Sequence, residues 1–91
     1  MARIKYFQNN NMAVYIYGEK YEKHHGKHIL VLKPDEDCQY GFDGKPLSCS
    51  KELRNKDDRK VLKEWILSHR RQLEKAWNDI NNGINPGNID D

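Results

Sequence analysis

Residues 59–80 read RKVLKEWILSHRRQLEKAWNDI and contain both tryptophans of the chain, Trp65 and Trp77. If each residue turns the chain by about 100°, as in an α-helix, the apolar side chains form one stripe. Together with Leu62 that stripe comprises Trp65, Ile66, His69, Leu73, Ala76, Trp77 and Ile80. The opposite face is mostly charged, with Leu67 as the exception. The pattern predicts a long amphipathic helix that buries its tryptophan-bearing side.

Signals at both ends delimit this helix. Asn55 is the predicted N-cap, and Asp57 and Asp58 bring negative charge to the positive end of the helix dipole. The segment 81–83, Asn-Asn-Gly, predicts the C-terminal end, because glycine readily adopts the left-handed conformation found there. A straight helix of about 25 residues would be roughly 37 Å long, which exceeds the ~31 Å diameter of a compact domain of this size. We therefore expect a bend or a split at Ser68, whose hydroxyl competes for backbone groups.

The first half of the chain has the alternation and turn residues of β-strands. Five strands are predicted, at residues 3–8, 12–17, 28–32, 38–42 and 45–48, with Asp43-Gly44 as a tight hairpin turn. We therefore expect an α+β fold, in which an antiparallel sheet of three to five strands packs against a long C-terminal helix that is either straight or bent. The predicted single α+β domain covers residues 1–82, and residues 83–91 are predicted to form a flexible acidic tail.

The composition limits the classes of protein to consider. The chain has 91 residues, of which 36% are hydrophobic and 33% charged, and its net charge is only +2. This charge is too small to imply a nucleic-acid ligand. Residues 1–8 lack the apolar run of a secretory signal, and no stretch is long and apolar enough to span a membrane. We therefore expect a cytoplasmic protein that does not contact membranes, with Cys38 and Cys49 reduced.

Charge is unevenly distributed along the chain. Residues 51–71 contain eight basic and four acidic residues, a local net charge of +4. The last fourteen residues contain three aspartates and neither lysine nor arginine. A charged outer helix face is typical of simple solvation, and a surface that binds phosphates is the alternative.

Three of the four histidines, His24, His25 and His28, lie within five positions of one another. Histidine titrates near neutral pH and is the commonest metal ligand in proteins. One hypothesis is therefore a metal site built from these three imidazoles. A catalytic zinc needs three converging protein ligands, and Gly26 disfavours the helix that would align His24 with His28. Two cysteines alone are too few for a structural zinc site.

A second hypothesis is a metal-independent ribonuclease. His25 or His28 would act as the general base, and Lys27 or Arg54 would hold the phosphate. The third interpretation is structural: the loop is exposed, His28 begins a buried strand, and His69 is a hydrogen-bonded packing residue. The chain contains neither a glycine-rich phosphate loop nor a Ser–His–Asp signature. The residues leave these alternatives open, and none of them leads us to expect a cofactor.

Three stretches resemble the small bacterial family called domain of unknown function 4160. They are Val14–Gly18 followed by Lys23–His28, then residues 61–73, and then residues 76–86. Trp65, His69 and Trp77 keep the spacing of that family. The chain departs from it where members carry a His-x-His pair, because Leu30 follows His28-Ile29 here.

The resemblance implies a small α+β fold and a setting beside a second short gene, in pairs interpreted as toxin–antitoxin modules. The family has no established reaction. We therefore expect a cytosolic component of a bacterial toxin–antitoxin, mobile-element or phage-defence system that works by protein–protein interaction rather than as an enzyme. The predicted partner contacts are the acidic tail, any uncovered part of the Trp77–Ile80 end, and His24, His25, Lys27, Arg70 and Arg71. A nucleic-acid partner and a homodimer are the alternatives.

Overall fold

The computed structural model of the chain describes residues 2–18 and 26–89. It contains five strands, a short 3-10 helix at Gln8–Asn10 and two α-helices: β1 (Ala2–Phe7), β2 (Met12–Ile16), β3 (His28–Lys33), β4 (Glu36–Gly41), β5 (Pro46–Lys51), α1 (Lys56–Ser68) and α2 (Arg70–Asn81). The strands form one antiparallel meander in the order β1-β2-β3-β4-β5. The predicted α+β class is confirmed.

One face of the sheet carries the core. Alternate residues of the central strands are fully buried, namely Met12, Val14 and Ile16 on β2 and Ile29 and Val31 on β3. The helices cover this face with their apolar stripe, of which Leu62, Trp65, Ile66, Leu73 and Ala76 are buried. On the other face, Tyr15 and Leu30 lie opposite each other across β2 and β3 and remain partly accessible. The sheet is therefore covered by helices on one side only, as is common for antiparallel sheets.

The helical half is split in two at His69, next to the predicted position Ser68, so neither helix has the length of the single helix of about 25 residues considered above. The Ser68 hydroxyl donates to the carbonyl oxygen of Trp65 at 3.1 Å, which is the backbone competition predicted for this serine. His69 leaves helical geometry, with φ −121° and ψ 26°. The two helices fit a molecule whose largest extent is 34 Å. In the described ranges, neither helix has the length and apolar character needed to cross a membrane.

The N-terminus of α1 is capped as predicted. The Asn55 side-chain oxygen accepts hydrogen bonds from the amides of Asp57 at 2.7 Å and Asp58 at 3.3 Å. Asp58 itself turns inward, where its carboxylate accepts from Lys33 Nζ and, at 2.7 Å, from Asn10 Nδ2. This aspartate therefore joins the start of α1 to the end of β3 and to the β1–β2 turn.

The expectation that both cysteines are reduced is wrong. Cys38 on β4 and Cys49 on β5 lie directly opposite each other in the sheet, with their Cα atoms 4.0 Å apart, and they form a disulfide. The expectation rested on cellular location alone. It missed the strand register, which puts the two side chains on the same face of adjacent strands.

The segment after α2 returns to the edge of the sheet. The amide of Ile89 donates to the carbonyl oxygen of Ile4 on β1 at 2.7 Å, and the Ile89 side chain is buried in the core. Ile84, five residues earlier, is 55% exposed. The segment predicted to be a flexible tail is thus attached to the core at Ile89, and its last two residues lie outside the described ranges.

Candidate functional site

His28 lies inside the protein, with 1% of its surface exposed. Its Nδ1 is 2.9 Å from the carbonyl oxygen of Gly26, and its Nε2 is 3.3 Å from the hydroxyl of Tyr17. The imidazole also packs against the indole of Trp77, with 5.6 Å between ring centroids. The prediction that His28 begins a buried strand is therefore confirmed. The ring is therefore almost fully enclosed.

The hydrogen bonds around His28 tie its ring to the neighbouring backbone and side chains. A carbonyl oxygen can only accept, so Nδ1 donates to Gly26. The Gln39 side-chain amide donates to the hydroxyl of Tyr17 at 3.0 Å. This is the geometry of a packing histidine.

The cations predicted to hold a phosphate are engaged elsewhere. Lys27 Nζ donates to Glu74 on α2, and Arg54 Nε donates to Glu36 at 3.1 Å. His28 pairs with Gly41 at one end of the β3–β4 hairpin, whereas Glu36 pairs with Lys33 at the other. A strand of six residues spans about 20 Å, so Arg54 is held roughly a strand length from His28. The candidates His28, Lys27 and Arg54 therefore do not converge, and His25 lies outside the described residues.

Of the three histidines in the metal-site hypothesis, only His28 lies in the part of the chain that the structure describes. His24 and His25 fall among residues that the structure does not describe, and His28 is enclosed as above. Among residues 2–18 and 26–89, no group of three or more His, Cys, Asp or Glu side chains is arranged to hold a metal ion.

His69 has the packing role predicted for it. Its Nδ1 lies 2.9 Å from the Trp65 carbonyl oxygen, and its ring stacks on the Trp65 indole at 5.2 Å between centroids. Trp65 is buried, and its ring meets Phe7 edge-on at 5.7 Å. The predicted contact site at the Trp77–Ile80 end is partly covered, since both side chains pack partly buried against the core.

Two exposed leucines lie beside the turn between β4 and β5. Leu47 is 43% and Leu67 46% exposed. Each leucine packs beside one glycine of the turn. A Cβ atom built on Gly44 would lie 3.7 Å from Leu67 Cγ, and a Cβ atom built on Gly41 would lie 3.8 Å from Leu47 Cδ1. The two glycines are joined, because the Gly44 amide donates to the Gly41 carbonyl at 3.0 Å. Leu47 and Leu67 thus flank one tight turn, and we call these two leucines with residues 41–45 the turn patch.

A row of lysines runs along α1 into the turn patch. Positions 56, 60, 63 and 67 follow the i, i+4, i+7, i+11 spacing of one helix face, and they hold Lys56, Lys60, Lys63 and Leu67, all exposed. The Lys63 side chain passes directly over the turn, since a Cβ on Gly44 would meet its Cγ at 2.9 Å. We call Lys56, Lys60 and Lys63 the basic stripe. The predicted contacts Arg70 and Arg71 follow the helix break and are exposed as well.

Sequence reasoning did not single out the turn patch. Its only signal was Leu67, the one apolar residue on the charged face of the helix. Leu47 could not be associated with it, because the contact between α1 and the β4–β5 turn depends on tertiary packing.

Comparison with known proteins identifies no relative. No protein family, no curated protein and no solved structure matches the chain. The resemblance to the domain of unknown function 4160 family therefore stays a prediction based on residues 14–86.

Proposed function

We propose that this protein is a cytosolic protein-binding component of a bacterial two-protein system, of the toxin–antitoxin or mobile-element and phage-defence kind. The turn patch carries the proposal. Single exposed leucines are ordinary on protein surfaces. Two that flank one turn, bordered by charged side chains, have the apolar centre and polar rim of a protein interface.

The state of the candidate catalytic groups also favours binding over catalysis. His28 is buried and hydrogen-bonded within the protein, and a general base must reach the proton that it abstracts. Lys27 and Arg54 each have a carboxylate partner. The resemblance to a family found beside second short genes supports the same kind of function.

The proposal is tested by purifying the tagged protein from its native host as wild type and as the double variant Leu47→Lys/Leu67→Lys. The matched control is Ile84→Lys, since Ile84 is 55% exposed but lies after α2. We expect a stoichiometric protein partner with the wild type and the control, and its loss from the double variant.

The partner so identified is then expressed in bacteria alone and together with this protein. In a toxin–antitoxin pair, one of the two proteins inhibits growth and the other relieves the inhibition. The proposal is contradicted if no protein partner accompanies the wild type, or if the double variant retains it as well as the control does.

A further inference from the structure

We infer that the turn patch and the basic stripe together bind an acidic, amphipathic segment of a partner protein. This inference rests on the proposed function, to which it adds the location of the contact and the chemistry of the partner.

The first argument is the unbalanced charge of the stripe. In the part of the chain that the structure describes, the lysines of the basic stripe form no ion pair. Four cations elsewhere in the described part of the chain are each paired with a carboxylate, namely Lys27, Lys33, Arg54 and Lys75. The acidic residues of α1 compensate the stripe only in part. Asp58 is buried against Lys33, and Asp57 and Glu64, at i−3 and i+4 from Lys60, leave three lysines facing two nearby carboxylates. The stripe is therefore complementary to carboxylates from outside.

The second argument is the position of the leucines at the end of the stripe. Lys56 and Leu67 are eleven residues apart, which corresponds to roughly 16 Å along the helix axis. A complementary segment therefore needs about three helical turns, with acidic residues along the stripe and an apolar residue beside Leu67 and Leu47. Charged residues at the rim guide association and fix the register, while the apolar contact excludes water at the centre.

The same features favour a protein over a nucleic acid. Phosphates would match the lysines, but strand binding commonly adds aromatic side chains on which bases stack. The residues of the turn patch include Phe42, which is buried, and its exposed apolar side chains are leucines. The whole chain also carries a net charge of only +2.

The test measures direct binding to defined probes by fluorescence anisotropy. The main probe is a synthetic helical peptide of about three turns with glutamates on one side and leucines beside them. The comparison probes are the same peptide with glutamine for glutamate, the same peptide with serine for leucine, and a single-stranded RNA of similar length. We expect the acidic leucine peptide to bind best, and its affinity to fall with added salt.

The variants locate the binding surface. We expect Lys60→Glu/Lys63→Glu to weaken peptide binding about tenfold or more. Arg3→Glu/Lys75→Glu, which changes the net charge equally at exposed positions outside the stripe, should have a much smaller effect. Equal losses in the two double variants, or tighter binding of the RNA than of the acidic peptide, would overturn the inference.

Binding of the co-purified partner to the variants distinguishes failure of the inferred surface from failure of the proposed function. If it binds the Lys60→Glu/Lys63→Glu protein as well as the wild type, the surface is wrong and the proposed function stands. If no partner is found, the proposed function fails, and the peptide titration still decides whether the surface has the inferred specificity.

Discussion

Lys33, at the end of β3, forms an ion pair with Asp58 in the first turn of α1, and the two side chains are only 18% and 3% exposed. Asn10, from the β1–β2 turn, donates to the other carboxylate oxygen of Asp58 at 2.7 Å. Three segments that are distant in the chain therefore meet at one carboxylate. This contact sets where the helical half attaches to the sheet.

Replacing Asp58 with alanine should be strongly destabilising. The change leaves the Lys33 ammonium without its counter-charge in a largely buried position, which typically costs about 3–5 kcal/mol. The measurement is the free energy of unfolding from denaturant titration. Asp57→Ala is the matched control, because Asp57 is exposed in the same helical turn. Equal losses in the two variants would show that the loss comes from the helix dipole and not from the ion pair.

Stability should fall in acid because of the same residue. Burial opposes ionisation of Asp58, but the hydrogen bonds from Lys33 and Asn10 and the charge of Lys33 outweigh it and lower the pKa of the carboxyl. A pKa that is lower in the folded state stabilises the protein above the usual carboxyl value of about 3.9, and this stabilisation is lost as the pH falls through the folded value. Unfolding free energies measured from pH 6 downward should decline below about pH 4. Asp58→Asn should show a shallower decline, and an unchanged slope would contradict this origin.

Breaking the Cys38–Cys49 bond should loosen the edge of the sheet at β5. The bond closes a loop with a sequence separation of 11, so chain entropy alone predicts a loss of about 3 kcal/mol on reduction. Denaturant titrations with and without a reducing agent measure it, and Cys38→Ser/Cys49→Ser should not respond to the reducing agent. Thiol titration of freshly lysed cells then tests the proposed cytosolic location, because cytosolic thiol pools keep most cysteines reduced. Two free thiols would agree with that location, and an intact bond would contradict it.

His28 should prove to be a structural residue. We expect His28→Ala to cost about 2–4 kcal/mol of unfolding free energy, since it removes a buried ring that contacts Tyr17 and Trp77. Purified wild-type protein should leave RNA uncleaved when the two are incubated together. RNA cleavage by the wild type that disappears in a folded His28→Ala protein would instead support the ribonuclease hypothesis.

The segment after α2 should contribute to stability through Ile89. Ile89→Ala removes a side chain that is only 8% exposed and should cost about 2 kcal/mol, whereas Ile84→Ala, at a position 55% exposed, should have little effect. Thermal unfolding of the two variants makes the comparison. Similar melting temperatures would mean that Ile89 does not anchor the segment in solution.

Local sequence signals predicted most of the secondary structure. The Asn55 cap and the backbone-competing hydroxyl of Ser68 act over three or four residues, and both were located correctly. A strand was likewise predicted at residues 12–17 from their β-branched and aromatic content, and β2 occupies Met12–Ile16. These features depend on spacing within a single element, so they can be recognised without knowledge of the fold.

The sequence by itself determined the α+β class, the run of strands and the buried tryptophan side of the helices, because period, caps and turn residues act between near neighbours. Only the tertiary structure decided that Tyr17 and Trp77 pack against His28, that Cys38 faces Cys49, that Ile89 returns to β1, and that Leu47 and Leu67 flank the same turn. Each of these relationships joins residues through strand register or helix packing. Such contacts form only when the chain closes into one arrangement, and no local pattern in the sequence specifies them.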